Sequence, residues 1–184
     1  MSGPPGRFEG PLAARFTPRE GARLRRALEA SGTVTELLES AAGEPIVARK
    51  LRHDEVRAPA TNPLGLEAGE PLVDRAVVLE GRTSRRAFVY AESTIACRRL
   101  PGPVCRRLAS GDDPIGRVLL EEGLTVTGVP RGRTAGPRGP LGPGLDGELA
   151  ASTIVRSYLL ELARRPVMVI DEWFLSAALE VAPR

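Results

Sequence analysis

Metal-binding and redox-active side chains are scarce in this sequence. It contains a single histidine, His53, and two cysteines, Cys97 and Cys105, whose spacing matches neither a CxxC pair nor a zinc pattern. We therefore expect no metal site, and we interpret the cysteines as reduced thiols. His53 lies in a charged, arginine-rich segment, which indicates a solvated side chain rather than a member of a catalytic triad.

Aromatic residues and long apolar runs are scarce too. Aromatic side chains make up 4% of the chain, too few for a platform that stacks nucleic-acid bases. The net charge is +3, and the 26 basic residues, all arginine except Lys50, are interleaved with acids. This pattern indicates GC-rich codon usage or an anion-binding surface rather than a nucleic-acid partner. No apolar run approaches the roughly 18–20 residues that span a membrane, and the first residues lack a signal-peptide core. We expect a soluble, cytoplasmic protein without a membrane partner.

The domain organisation follows from length and composition. A chain of 184 residues suits one domain, and we expect a flexible segment over residues 1–16 followed by one domain over 17–178. Residues 130–147 are rich in proline and glycine, which predicts a long loop without regular secondary structure. Such a loop is either a disordered insertion or a mobile cover over a site.

Periodic patterns predict helices first and strands afterwards. Capping boxes that begin at Thr17 and Thr33 predict two helices, the first ending near Ala30. Two more short helices are predicted at 103–109 and 115–122. Strands are predicted at 46–56, 72–80, 86–96, 124–129, 152–162 and 167–175. Hairpin turns between them favour an α+β fold with a single antiparallel sheet of about six strands flanked by helices.

Three charged residues share strand faces with apolar ones. Arg75, Arg156 and Glu172 each lie at two-residue spacing from apolar residues, which places them on apolar faces of their strands. A buried charge needs a partner because leaving it unpaired is costly. That partner is either an internal salt bridge, Glu172 with Arg75 or Arg156, or a bound ligand. Periodicity does not decide whether Glu172 or its neighbour Asp171 points inwards.

Five short segments carry a recognisable combination of motifs. They are 33–38 (TVTELL), 73–79 (VDRAVVL), 90–93 (YAES), 113–119 (DPIGRVL) and 166–174 (PVMVIDEWF). In order and spacing, over about residues 20–176, they resemble the chorismate pyruvate-lyase family, its actinobacterial branch in particular. The resemblance implies a six-stranded antiparallel sheet with a closed ligand cavity beneath helical flaps. It also implies a carbon–oxygen lyase that converts chorismate to 4-hydroxybenzoate and pyruvate by eliminating the enolpyruvyl group.

The resemblance further implies a set of site residues. Arg75 and Glu172 are the implied catalytic pair, and the candidate substrate-binding residues are Val34, Ile115, Gly116 and Arg156. Arg75 would bind one substrate carboxylate through both arms of its guanidinium, and Arg156 is the candidate for the second carboxylate. Glu172 would engage the ring hydroxyl and could act as a general acid, with its pKa raised in a dry cavity. No cofactor is required, the partner is a small molecule, and we expect a monomer or a homodimer.

Two alternatives to this function stay open. The same fold resembles the effector-sensing domains of GntR-type transcription regulators, which would make the protein a ligand-binding module without catalysis. Those domains follow a winged-helix domain, whereas only about 16 residues precede the first predicted helix. The other alternative is a diverged lyase acting on a chorismate relative. It is suggested by residues 130–147 and by Asp171, where the family usually has threonine. A carboxylate beside Glu172 predicts a raised proton affinity for one of the two acids.

Overall fold

The computed structural model describes residues 13–14, 33–110, 112–131, 136–138, 141, 143–151 and 154–181. The predicted helix from Thr17 to about Ala30 lies outside these residues, as does the predicted flexible segment 1–16 except for Ala13–Ala14. Within the described ranges, no helix is long and apolar enough to span a membrane.

Alternating strand-forming residues build one antiparallel sheet. In the described part of the chain its seven strands are β1 (Ala13–Ala14), β2 (Ile46–Arg57), β3 (Pro71–Gly81), β4 (Ala87–Ile95), β5 (Val126–Pro130), β6 (Ile154–Leu162) and β7 (Arg165–Phe174). The strands lie in the order β1–β6–β7–β4–β3–β2, and β5 also pairs with β6. Every pair is antiparallel. The predicted α+β fold class is therefore confirmed, with β1 as a two-residue addition to the six predicted strands.

Helices pack on both sides of this sheet. They are α1 (Val34–Ala42), α2 (Gly102–Ser110), α3 (Ile115–Glu121), α4 (Pro143–Ala151) and α5 (Ser176–Val181), with a 3₁₀ turn at Cys97–Arg99. Helix α1 begins at the predicted capping box: the backbone N–H of Glu36 donates to Thr33 Oγ1, and that of Thr33 donates to Glu36 Oε2, both at 3.1 Å. Gly43 ends the helix with a φ of 70°, a left-handed conformation that glycine adopts without steric cost.

The prediction of an irregular segment over 130–147 is wrong at both ends. Strand β5 includes Pro130, and helix α4 begins at Pro143. The fixed φ of proline suits the first position of a helix. Leu145 and Leu149 of α4 pack against an apolar cluster that includes Trp173, and their burial outweighs the glycine and proline content of the segment.

The prediction of reduced cysteines is also wrong. Cys97, in the 3₁₀ turn after β4, forms a disulfide with Cys105 of α2, and their Cα atoms are 5.6 Å apart. The turn and the helix together bring the two residues close, which their spacing in the sequence does not reveal. The bond ties α2 to the end of β4, and α2 in turn packs against α3.

The two faces of the sheet are covered by different elements. The cavity face, which carries Arg75 and Val77 of β3, packs against α1, α2, α3 and α5. The opposite face, which carries Ala76 and Val78 of the same strand, is covered by α4 and by residues 58–66. Most of the buried apolar side chains belong to clusters on one of these two faces.

Candidate functional site

A cavity of about 50 Å³ lies between the cavity face of the sheet and the first turns of α1 and α3. Its apolar wall consists of Val77, Leu79, Leu119, Leu160 and Ile170. The structure brings together at this cavity all six site residues predicted from the sequence: Val34, Arg75, Ile115, Gly116, Arg156 and Glu172. Their functional roles stay predictions.

The register of the strands places the three charged side chains on the cavity face of the sheet. Arg75 of β3 pairs with Ser93 of β4, and Ser93 pairs with Ile170 of β7. Glu172 lies two residues beyond Ile170 and pairs with Arg156 of β6. Because directly opposite residues in antiparallel strands have side chains on the same face, all three charged side chains reach the cavity face.

Arg75 is a buried cation with no carboxylate within ion-pair distance in the part of the chain that the structure describes. It is 1% exposed, and its Nη2 donates to the backbone oxygen of Asp113 at 3.1 Å. Among the described residues, its buried Nε has no hydrogen-bond partner. Burial lowers the pKa of Arg75 to about 10, although Asp112 and Asp113 act to raise it. The guanidinium therefore stays charged at neutral pH, and the residue lines the cavity.

Glu172 is held by two neighbours on β6. Arg156 donates to its Oε2 through Nε at 2.7 Å, and Nη2 of the same arginine lies 2.6 Å from that oxygen. The Tyr158 hydroxyl donates to Oε1 at 3.0 Å. Of the two salt bridges that the sequence allowed for Glu172, the structure contains the one with Arg156. The carboxylate is thus engaged through both oxygens while it lines the cavity.

The first turns of α1 and α3 meet above the cavity. Gly116 of α3 lies so close to Thr33, the cap of α1, that a Cβ atom added to the glycine would be 3.1 Å from the Thr33 Cβ. Glycine therefore lets the two turns close on each other, whereas a larger side chain would push them apart.

Asp171 and Glu172 point to opposite faces of the sheet. Glu172 lines the cavity described above, whereas Asp171 lines a second cavity, of about 350 Å³, on the opposite face. The structure thus decides which of the two acids points inwards. Because the sheet separates the two side chains, the proximity from which we predicted a raised proton affinity is absent.

Two acids on the opposite face, Asp74 and Glu92, have arginine partners. Arg138 donates through Nε to Glu92 Oε2 at 2.7 Å and places Nη1 2.8 Å from Asp74 Oδ1. Burial acts to raise the pKa of Glu92, but hydrogen bonds from Arg138 and Tyr90 hold it below its usual value. In the part of the chain that the structure describes, no group of acids, histidines or cysteines could hold a metal ion. The expected lack of a cofactor stays a prediction.

Tyr158 also lines the cavity, although the sequence pattern indicates only an apolar neighbour of Arg156. The available signal was the two-residue spacing, which places both side chains on one face of β6. Burial, together with the negative charge of Glu172, raises the pKa of the Tyr158 hydroxyl. The hydroxyl is therefore a protonated donor at neutral pH.

Comparison with known proteins gives one sequence relationship and one fold relationship. No family model matches the chain. The chorismate pyruvate-lyases of Mycobacterium tuberculosis (strain H37Rv) and Mycobacterium bovis are each 29% identical to it over 172 residues, 87% of this chain and 83% of the relative. The crystal structure of PhnF from Mycobacterium smegmatis superposes with a TM-score of 0.54 at 16% identity, over 80% of this chain. The chain spans 65% of that structure. It is thus a distant relative of proteins named chorismate pyruvate-lyase and shares its fold with PhnF.

Proposed function

We propose that the protein is a chorismate pyruvate-lyase, which converts chorismate to 4-hydroxybenzoate and pyruvate. The observation that carries this proposal is Arg75, a buried guanidinium with an unpartnered Nε at a cavity that Glu172 also lines. A buried charge requires compensation, and a substrate carboxylate supplies it. The relatives that are 29% identical support chorismate as the source of that carboxylate.

The cavity offers chorismate complementary contacts. The substrate has two carboxylates, a ring hydroxyl and an enolpyruvyl ether on an otherwise apolar ring. Arg75 receives one carboxylate, and the charge-assisted hydrogen bonds fix its orientation. The ring lies against the apolar wall. Arg156 is already bound to Glu172, so we propose that it contacts the second carboxylate only while keeping that ion pair.

Substrate entry requires the cavity to widen. Its volume of about 50 Å³ is well below the roughly 300–1,000 Å³ of typical ligand pockets. The roof consists of two first turns that meet at Gly116 and Thr33, so separation of α1 from α3 at this contact is the simplest way to admit a ligand. Closure afterwards excludes water from the reacting groups.

Elimination needs little chemical assistance from the protein. The ether bond between the ring and the enolpyruvyl oxygen breaks, and the hydrogen of the hydroxyl-bearing ring carbon moves to the enolpyruvyl methylene, which becomes the methyl group of pyruvate. The ring becomes aromatic, so the reaction is downhill, and holding the reactive conformer supplies most of the acceleration. Because Glu172 is ion-paired with Arg156, we propose that it acts as a carboxylate that accepts a hydrogen bond from the ring hydroxyl and orients the ring.

A ligand-binding domain without turnover is the second candidate function. Both oxygens of Glu172 are engaged within the protein, and this favours a site that binds an anion through Arg75 without acid–base chemistry. Such a protein would bind chorismate or another aromatic carboxylate and leave it unchanged.

One experiment tests both candidates. The purified protein is incubated with chorismate, 4-hydroxybenzoate is identified by chromatography, and pyruvate is quantified in the same samples. Binding of chorismate and of 4-hydroxybenzoate is measured by calorimetry. Equal amounts of the two products support the lyase, and binding without products supports the second candidate. A protein that neither binds nor converts chorismate would overturn the proposal.

A further inference from the structure

We propose that Tyr158 is a positioning residue of the lyase reaction, whose hydroxyl holds the Glu172 carboxylate in a single orientation towards the cavity. The inference rests on the proposed function, and it adds a residue that does not itself take part in bond breaking.

The three side chains form a closed, buried network. Tyr158, Arg156 and Glu172 are 8%, 8% and 5% exposed. Arg156 Nη2 donates to the Tyr158 hydroxyl oxygen at 3.3 Å, and the hydroxyl donates to Glu172 Oε1 at 3.0 Å. The arginine therefore occupies the acceptor side of the phenol, and the hydroxyl hydrogen is directed at the carboxylate. The Arg156 guanidinium carbon also lies 4.5 Å from the centre of the Tyr158 ring, which keeps the two side chains stacked.

The network leaves Glu172 acceptor capacity for a ligand. A carboxylate has about four lone-pair sites. Arg156 takes one through Nε, with Nη2 2.6 Å from the same oxygen, and Tyr158 takes one on the other oxygen. Because different residues hold the two oxygens, the carboxylate cannot turn about its own axis without breaking a buried hydrogen bond. Without the Tyr158 hydroxyl, only the Arg156 contacts to Oε2 orient the carboxylate.

Replacing Tyr158 changes the surroundings of Glu172 without changing the charge of the site. From β6 they are Arg156 and the Tyr158 phenol, and from β3 Arg75 lines the same cavity. Strand β4 contributes only Ala91 and Ser93, and the cavity-lining residues of the α1 and α3 turns are uncharged. Removing one neutral donor therefore leaves the formal charge of the site unchanged and raises the proton affinity of the carboxylate, because a hydrogen bond to the charged form is lost.

The chain contains only two tyrosines, and the second supplies a matched control. Tyr90 donates its hydroxyl to Glu92 at 2.5 Å on the opposite face of the sheet. Tyr158→Phe and Tyr90→Phe thus remove the same atom from a buried tyrosine–glutamate pair, one at the cavity and one away from it. Global incorporation of 3-fluorotyrosine into Tyr90→Phe places the fluorinated, more acidic phenol at position 158 alone.

The first measurement is of kcat and KM for chorismate as a function of pH. The second is an NMR titration of the Glu172 carboxyl carbon in protein labelled at glutamate. Its signal is assigned by comparison with Glu172→Gln. For Tyr158→Phe we expect kcat to fall about tenfold with KM little changed, and the acid limb of kcat and the carboxyl pKa to rise by about one pH unit, the scale of one lost hydrogen bond to a charged group. Tyr90→Phe should change neither quantity. Fluorination, which strengthens the donor, should shift the acid limb in the other direction.

The outcomes separate this inference from the proposed function. If the wild type converts chorismate but the acid limb is the same in Tyr158→Phe, Tyr90→Phe and the fluorinated protein, the role of Tyr158 is refuted and the lyase stands. If the wild type does not convert chorismate, the lyase is refuted, and the NMR titration alone decides whether the Tyr158 hydroxyl is bonded to the Glu172 carboxylate. If Tyr158→Phe does not fold, the fluorinated protein still gives the answer, because an unchanged carboxyl pKa there contradicts the inference.

Discussion

Replacing Arg75 with methionine should make the protein more stable and unable to bind its ligand. Burial lowers the pKa of Arg75 from its ordinary value to about 10. Because the folded-state value is the lower one, the folded protein holds this proton more weakly than the unfolded chain, and the penalty is fully present at every pH below about 10. The difference corresponds to about 3 kcal/mol of lost stability.

The expected gain is smaller than this penalty because Arg75→Met also removes a hydrogen bond. The backbone oxygen of Asp113 loses its donor, which costs about 1 kcal/mol. A net gain of about 2 kcal/mol remains, and for a chain of this length it raises the melting temperature by about 4–8 °C. Ligand binding changes in the opposite direction, since loss of a buried charged partner costs about 2–5 kcal/mol, a weakening of about 30-fold or more.

Arg156→Met is the matched control, because this arginine is also buried but is paired with Glu172. Breaking a buried pair by removing one partner destabilises a protein by about 3–5 kcal/mol. Thermal melts of both variants, with and without 4-hydroxybenzoate, and calorimetry with chorismate provide the measurements. The reasoning is refuted if Arg75→Met melts below the wild type as Arg156→Met does, or if it binds the ligand with unchanged affinity.

Three further predictions address the acid, the roof and the disulfide. Glu172→Gln keeps the shape of the site, so its affinity for 4-hydroxybenzoate should stay within a few-fold of the wild type. Its kcat should fall about 100-fold or more, the scale of an oriented polar group. Retained turnover would contradict the role of the carboxylate. Gly116→Ala places a methyl group against Thr33 and holds the roof open, so stopped-flow release of 4-hydroxybenzoate should accelerate, whereas slower or unchanged release would argue against separation of α1 and α3 as the entry route. Replacing Cys97 and Cys105 together with serine should lower the free energy of unfolding by about 2–3 kcal/mol. Mass spectrometry of alkylated protein checks the bond itself, and two free thiols in the purified wild type would disprove it.

Local signals were sufficient for most secondary structure. The capping box at Thr33 predicts the start of α1 because its hydrogen bonds join residues three apart. Alternation within β3 and β7 predicts those strands because two-residue periodicity is a local property. Helix α4 was missed because its stability depends on contacts of Leu149 with residues of distant strands, whereas its own sequence is rich in glycine and proline.

The candidate site required information that no local pattern contains. Periodicity places Arg156 and Glu172 on apolar strand faces, but only the β6–β7 register makes them a pair. The same limitation applies to Asp171 and Glu172, which are equally plausible from alternation alone and which the fold assigns to opposite faces. The six site residues could be predicted because each family motif has a fixed place in the fold. A residue that matches a motif position is thereby assigned a position in the sheet or in a helix. The role of the Tyr158 hydroxyl depends on its hydrogen bond to Glu172, which no sequence pattern indicates.

Internal salt bridges explain the burial of Arg156 and Glu172 but not the burial of Arg75. On the opposite face, Asp74 and Glu92 each meet Arg52 and Arg138. On the cavity face, Glu172 meets Arg156, so an internal ion pair accounts for both of these residues without any ligand. Arg75 is different, because no carboxylate lies within ion-pair distance of it among the described residues. Folding alone gives no reason to bury this charge with a donor left unpaired. A ligand carboxylate does, and this is why a test at Arg75 bears more directly on function than a test at the better-paired Glu172.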